Sequence, residues 1–264
     1  MKKINSILIA SLFIGSLFIS SCKKEDELKG NGPLTLHFDN RAGSADFAMN
    51  TNLTIASGET INVTKLKYYV SNFVLVKADG SEYKVPQNGN YFLIDEETDS
   101  TQDVTLQNIP AGNYTGFKYI LGVDSLRSTL DVSQRTGALD PAGAGSDMYW
   151  SWNSGYIFFR IDATSPQSTE AGNQCFFHVG GYGGYSTPST NNIRTISLSG
   201  SEAAEVRIGR NPEVHIYVDI LQAFTSPNAY SIATDGASFH MPASAVKMAD
   251  NYIDMFNINH IHND

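Results

Sequence analysis

KLKYYVSNFVLVKADGSEYKV, residues 65–85, is the stretch on which the fold turns. Its first twelve residues are rich in aromatic and β-branched side chains, so they read as a strand. Ala78-Asp79-Gly80-Ser81 interrupts the run before Glu82 resumes it. An Asp-Gly pair between two such segments marks a hairpin, because the tight turn needs backbone angles that these residues tolerate. The same pattern recurs along the chain. Residues 34–38 alternate, 91–95 form a short run, and 104–106 and 114–123 flank Ile109-Pro110-Ala111-Gly112, where Pro and Gly set a turn. Further strands are expected at 148–161, 174–179, 193–198, 204–208 and 214–221. About ten short strands with regular turn signals predict an all-β protein, an antiparallel β-sandwich or open barrel. Residues 244–256 are the one helix-like segment, with Val246, Met248, Ala249, Tyr252, Ile253 and Phe256 spaced for one face. Residues 124–147 form a long connection with little periodicity, of the kind that is functional or disordered.

The N-terminus carries its own signal. Met1-Lys2-Lys3, the apolar run 7–19 and Ser20-Ser21-Cys22 predict a secretory signal peptide over residues 1–21. The small residues before Cys22 make that cysteine the expected lipidation site, so the mature protein is expected to be anchored by lipid and not by a membrane span. Residues 22–32, with the charged run Lys23 to Glu27, read as a tether, and 33–264 as one domain with no linker or repeat. The charged run is similar to the acidic segments after the lipidated cysteine of surface lipoproteins. The expected place is the bacterial cell envelope, at the outer membrane, facing the periplasm or the outside. Cys175 is the remaining thiol, so an intramolecular disulfide is not expected.

A net charge of −9 without a basic patch argues against nucleic-acid binding. The chain lacks GxSxG, CxxC, HExxH and a phosphate-cradling loop, and no nucleophile, base and orienting group declare themselves. A binding role is expected, not an enzyme. The glycines of 180–184 read as an irregular turn.

Histidine and tryptophan carry the remaining signal. His37 lies in the first strand, His178 at the end of a strand, and His215 in VHIYVDIL (214–221), where His215, Tyr217 and Asp219 alternate onto one face. His260 and His262 in the tail NHIHN are two residues apart; in extended chain they point the same way and offer two imidazoles to one ion, or else they belong to a polar tail. Imidazole suits copper, zinc and nickel. Both tryptophans of the chain, Trp150 and Trp152, fall in DMYWSWNSGYIFFRID (147–162), either as packing residues or as chemistry.

LTLHFDN (34–40), LKYYVSNFVL (66–75), IPAGNY (109–114), LGVDSLR (121–127), MYWSWNSGYIFF (148–159), FFHVGGYGG (176–184) and VHIYVDIL occur in an order that resembles the MbnP-like copper-binding family. The resemblance spans most of residues 34–221. It implies an extracytoplasmic β-rich domain that handles copper. It also implies that a tryptophan, Trp150 or Trp152, is oxidised to kynurenine by a dihaem cytochrome c peroxidase-like partner, with copper held by the kynurenine amine and histidines. His37, His178 and His215 match family segments. Where family members near methanobactin clusters carry a second histidine in a pattern like HFxH, this chain has Asn40. In a more distant copper-binding relative, a copper histidine lies two residues after the modified tryptophan, where this chain has Trp152. A Cu(I) site is satisfied by two or three converging imidazoles, with a carboxylate such as Asp124 or Asp219 to orient them; Asp124 also reads as a strand-ending turn residue. A metal-free carbohydrate- or peptide-binding surface module, using Tyr182, Tyr185 and the tryptophans as its platform, is the other reading. Convergence of His37, His178 and His215 separates the two.

Overall fold

A computed structural model describes residues 28–150, 155–185, 187–239 and 241–264. The predicted signal peptide and Cys22, together with Trp152 and His240, lie outside the described residues. The strands are β1 (Asn31–Ala42), β2 (Ala45–Asp46), β3 (Asn52–Thr54), β4 (Thr60–Lys77), β5 (Glu82–Lys84), β6 (Tyr91–Asp95), β7 (Asp103–Pro110), β8 (Gly112–Leu121), β9 (Tyr149–Trp150), β10 (Gly155–Thr164), β11 (Gln174–Gly180), β12 (Arg194–Val206), β13 (Glu213–Asp219) and β14 (Phe256–His262). They form the expected two-sheet, all-β architecture. The smaller sheet runs β14-β13-β1-β2 with β7 also on β1, and the larger runs β11-β10-β4-β8-β12 with β3, β5, β6 and β9 at its margins.

The hairpin at 65–85 forms as expected. Val76 faces Glu82, and the Gly80 N–H donates to the Lys77 carbonyl at 2.9 Å with Gly80 at φ +81°. β4 is longer than its sequence signal and becomes the spine of the larger sheet, pairing with both β8 and β10. Its alternation divides two cores. Tyr68 and Val70 point between the sheets, where they meet Phe38 of β1, Val214, Ile216 and Val218 of β13, and Phe159 of β10. Tyr69 points the other way and packs with Tyr156 and Phe158 in a second cluster on the outer face of the larger sheet.

That second cluster explains the 124–147 connection. Outward aromatic side chains on β4 and β10 need a cover, and Val123, Leu139 and Met148 supply it. The connection starts with the short helix α1 (Ser125–Ser128) and goes on through 3₁₀ turns. Its backbone is tied down by Tyr69, which donates to the Ala138 carbonyl at 2.8 Å, and by Tyr156, which donates to the Leu139 carbonyl at 2.6 Å.

The helix expected at 244–256 is broken into pieces: a 3₁₀ turn at Pro242–Ala245, a helix at Val246–Asn251, and a second 3₁₀ turn at Tyr252–Met255. A further four-residue helix occupies Ile232–Asp235. Among the described residues no helix is long and apolar enough to cross a membrane. From Phe256 the chain turns into β14, which pairs antiparallel with β13 and gives the tail a fixed place in the sheet.

Candidate metal centre

β1 and β13 pair in parallel, and their register sets His37 beside His215. On both strands the apolar residues alternate inward: Leu36 and Phe38 on one, Val214 and Ile216 on the other, all fully buried. The histidines between them therefore stand on the outer face of the smaller sheet. β14 brings two more. Ile216 faces Ile258 and His215 faces His260, so Asn259 is an extra residue, a β-bulge. Strict alternation from Phe256 and Ile258 would turn His260 and His262 inward. The bulge reverses the parity, placing Ile261 opposite Val214 and presenting both histidines on the outer face with His215.

The rings form a close group. His215 stacks on His260 at 4.2 Å between centroids, His262 meets His215 edge-on at 5.2 Å, and His37 adjoins His215 at 5.0 Å. One ligand nitrogen from each of His215, His260 and His262 lies within 4.8 Å of the others. Nε2 of His260 and Nε2 of His262 are 3.0 Å apart. Two nitrogens bound to one ion at about 2.0–2.1 Å each stand about 2.9–3.4 Å apart, so this pair is at chelating distance.

Carboxylates hold the imidazoles. His37 Nδ1 donates to Asp103 Oδ1 at 2.6 Å, across the β1–β7 pair, and His215 Nε2 donates to Glu213 Oε1 at 2.6 Å on its own strand. Each bond fixes one nitrogen as donor and leaves the other for an ion, as around metal-bound histidine generally. Asn259 Nδ2 lies 2.7 Å from His260 Nδ1. Turning that amide presents its oxygen to an Nδ1–H and frees Nε2 as a ligand. Burial and the neighbouring His260, His37 and His262 lower the pKa of His215, against the pull of Glu213, which favours the neutral form that binds metals. We expect Glu213→Gln to weaken metal binding about 10–100-fold, the usual cost of losing an orienting partner, as read by competition titration.

His178 is not part of this group, so the expected convergence of His37, His178 and His215 does not occur; only His37 and His215 adjoin, and the cluster is completed instead by His260 and His262 of the C-terminal strand. It stands on β11, beside Arg160 of β10, and its Nε2 donates to Asp162 Oδ1 at 2.6 Å. It ends a row of charges that crosses the outer face of the larger sheet: Asp95 of β6, Lys67 of β4, Arg160 of β10 and His178 of β11 are register neighbours. Asp147 bridges Lys67 at 3.1 Å and Arg160 at 3.4 Å, and Arg160 donates to the Asp147 carbonyl at 2.5 Å. Burial raises the Asp162 pKa, but hydrogen bonds from His178 and Arg160 overcome that and bring it down to about 2. A depressed carboxylate pKa gives stability that is present above the unfolded value near 4 and lost as pH falls through about 2. Asp162→Asn should therefore cost about 2 kcal/mol at neutral pH, and denaturant titrations should show the difference closing toward pH 2.

Trp150 lies a few residues beyond Asp147. It pairs with Gly155 across the β9–β10 hairpin and packs, half-buried, against the outer aromatic cluster. Its ring covers Gly180: a Cβ there would stand 2.6 Å from Trp150 Cζ3, so only glycine admits the indole. Beside the hairpin a cavity of about 340 Å³ is lined by Arg135, Tyr149, Tyr182 and Tyr185 among others. Tyr182 is buried and Tyr185 exposed, and both line this cavity.

The two carboxylates proposed from sequence to orient histidines make other bonds. Asp124 caps α1 through the Arg127 N–H and accepts from Asn72, Gln87 and Tyr91. Asp219 accepts from the backbone of Leu221 and Gly43 and from Gln222, closing the turn after β13. Asn40, at the place of the family's second histidine, is buried, accepts from Tyr68 and donates to Glu96. Cys175 is buried in the main core, and burial pushes its thiol up to about 11, so it offers no thiolate. Glu213 and Asp103 were missed from sequence. Glu213 was accessible there, two residues before His215 on the same strand face; Asp103 becomes a partner only through the β1–β7 register.

The described residues form a two-sheet β protein with an outward imidazole cluster on one sheet and Trp150 packed on the outer face of the other. The MbnP family model matches residues 31–243, and the chain belongs to that family. The structure is similar to that of MbnP from Methylosinus trichosporium, with a TM-score of 0.56 at 16% identity over 88% of this chain and 98% of that one, a likeness of fold. No curated protein gives a significant sequence match.

Proposed function

We propose that this protein is a lipid-anchored copper-binding protein of the bacterial cell envelope, with its copper held by His215, His260 and His262 and with His37 alongside. The observation that carries the reading is the convergence of three imidazole nitrogens within 4.8 Å on one sheet face. The donor set fits the metal: imidazole suits copper, and three such ligands satisfy it. Copper, when bound, supplies a redox-active cation; the chain's own residues hold it, with Glu213 and Asp103 setting ring orientation.

Family membership supports a second element. Trp150 or Trp152 is converted to kynurenine by a dihaem cytochrome c peroxidase-like partner that draws its oxidising equivalents from peroxide: two oxygen atoms are added as the indole C2–C3 bond is cleaved, giving the N-formyl compound, and hydrolysis then releases C2 as formate. Peptide mass spectrometry on protein from its native host tests this. The expected result is a mass gain equal to one oxygen less one carbon on the peptide spanning 147–160; unmodified tryptophans in every molecule would refute it. Metal content and competition titration of the same sample test the copper reading, for which one copper per chain is expected.

A further inference from the structure

We infer that the imidazole cluster is a complete metal site in its own right, separate from Trp150, and that it binds its ion without kynurenine. The inference rests on the copper reading above and deepens it by assigning the ligand set to unmodified side chains alone.

The first support is which way the side chains face. His37, His215, His260 and His262 stand on the side of the smaller sheet away from Leu36, Phe38, Val214 and Ile216, which fill the space between the sheets. Trp150 stands on the opposite side of the molecule. It covers Gly180 on the face of β11 that carries Phe176 and His178, while Phe177 and Val179 face the core. Packed sheets lie about 10 Å apart, and each group projects outward from its own sheet.

Strand order gives the second support, independent of the first. Trp150 sits at the β10–β11 edge of the larger sheet. The histidine strand β14 runs along β12, the other edge, to which Asn263 ties it by donating to the Ala203 carbonyl at 3.0 Å and accepting from the Glu205 N–H at 2.8 Å. Four strand spacings separate β11 from β12, about 19 Å at about 4.8 Å each. A tryptophan product at position 150 is thus out of reach of an ion held by His215, His260 and His262.

The third support is sufficiency. Three nitrogens within 4.8 Å supply a three-coordinate copper ion once the rings turn to bring the wider pairs to the roughly 3.5 Å that trigonal ligands at about 2.0 Å require, and His37 stands next to them for a fourth. Two of the three, His260 and His262, lie beyond residue 243, where the family match ends. The set is all nitrogen, with no sulfur donor. It therefore suits Cu(II), Ni(II) and Zn(II) as well as Cu(I), unlike a site built for soft ligands.

The test compares full-length mature-domain protein made in a host without the haem partner, with both tryptophans shown intact by mass, against protein from the native host. Each is titrated with Cu(II) and with Cu(I) against a chromophoric competitor, and the Cu(II) form is examined by electron paramagnetic resonance. The expected result is one copper per chain in both samples, affinities agreeing within about threefold, and nitrogen superhyperfine splitting that disappears in the His260→Ala, His262→Ala double variant. Binding by the native-host protein alone would overturn the inference and leave the copper reading standing. Binding that survives the double variant in both samples would overturn it by placing the ion elsewhere. Copper binding in neither sample would overturn the copper reading itself, and this inference with it.

Discussion

His215→Ala is expected to lower copper affinity by at least roughly 100-fold while leaving the fold intact. His215 is the hub of the cluster: it touches His37, His260 and His262, and it is one of the three residues with a ligand nitrogen inside the 4.8 Å group. Removing an orienting partner costs about 10–100-fold at metal sites, and removing a ligand exceeds that. The fold survives because the core of β13 is Val214, Ile216 and Val218, which point the other way. An outward substitution of this kind changes stability by about 0.5 kcal/mol or less. Competition titration alongside thermal unfolding separates the two effects. An unchanged affinity would remove His215 from the site.

Lys67→Met is expected to destabilise the protein by about 3 kcal/mol, with a fall in Tm of about 6–12 °C for a chain of this size. Lys67 is only 8% exposed and lies 3.0 Å from Asp95 and 3.1 Å from Asp147. Burial lowers its pKa, but the two carboxylates more than compensate and raise it, so the ammonium is held charged. Methionine matches the length of the stem and leaves two carboxylates facing a neutral chain. Breaking one side of a buried pair is costly because the other charge stays behind. Asp147 precedes the β9 strand, so the loss should also loosen the Trp150 hairpin and shift tryptophan emission to the red. Lys67→Arg should retain most of the stability. A Tm within about 2 °C of the parent for Lys67→Met would show that the row of charges contributes little.

The legibility of this molecule followed the range of the interactions. The hairpin at 65–85 was readable because Asp79-Gly80 is a local signal. β1 and β13 were readable because Leu36, Phe38, Val214 and Ile216 alternate. The strand at 256–262 was not readable. Its Asn and His composition resembles a solvated tail, and the bulge at Asn259 breaks the alternation that would have marked it. The HxH spacing still gave the correct local relation, two imidazoles on one side of an extended segment. Convergence on His215 came from pairing β13 with a strand near the C-terminus, and the approach of His37 from a parallel pairing across 178 positions of sequence. Nothing local encodes either. His178 shows the same limit from the other side. Its motif and strand position resemble those of His37 and His215, but the sheet it joins decides its partners, Asp162 and Arg160. Asp124 behaved as the turn reading held, capping a short helix, because Asp at a strand end accepts from backbone N–H groups two and three residues on.

X-ray absorption at the copper edge, on protein loaded with one equivalent of copper, reads the ligand set itself. The expected result is about three nitrogen donors near 2.0 Å, with the outer-shell scattering of imidazole rings, and loss of that signal in the His260→Ala, His262→Ala double variant. A sulfur shell, a purely oxygen shell, or an imidazole signal unchanged in the double variant would contradict it.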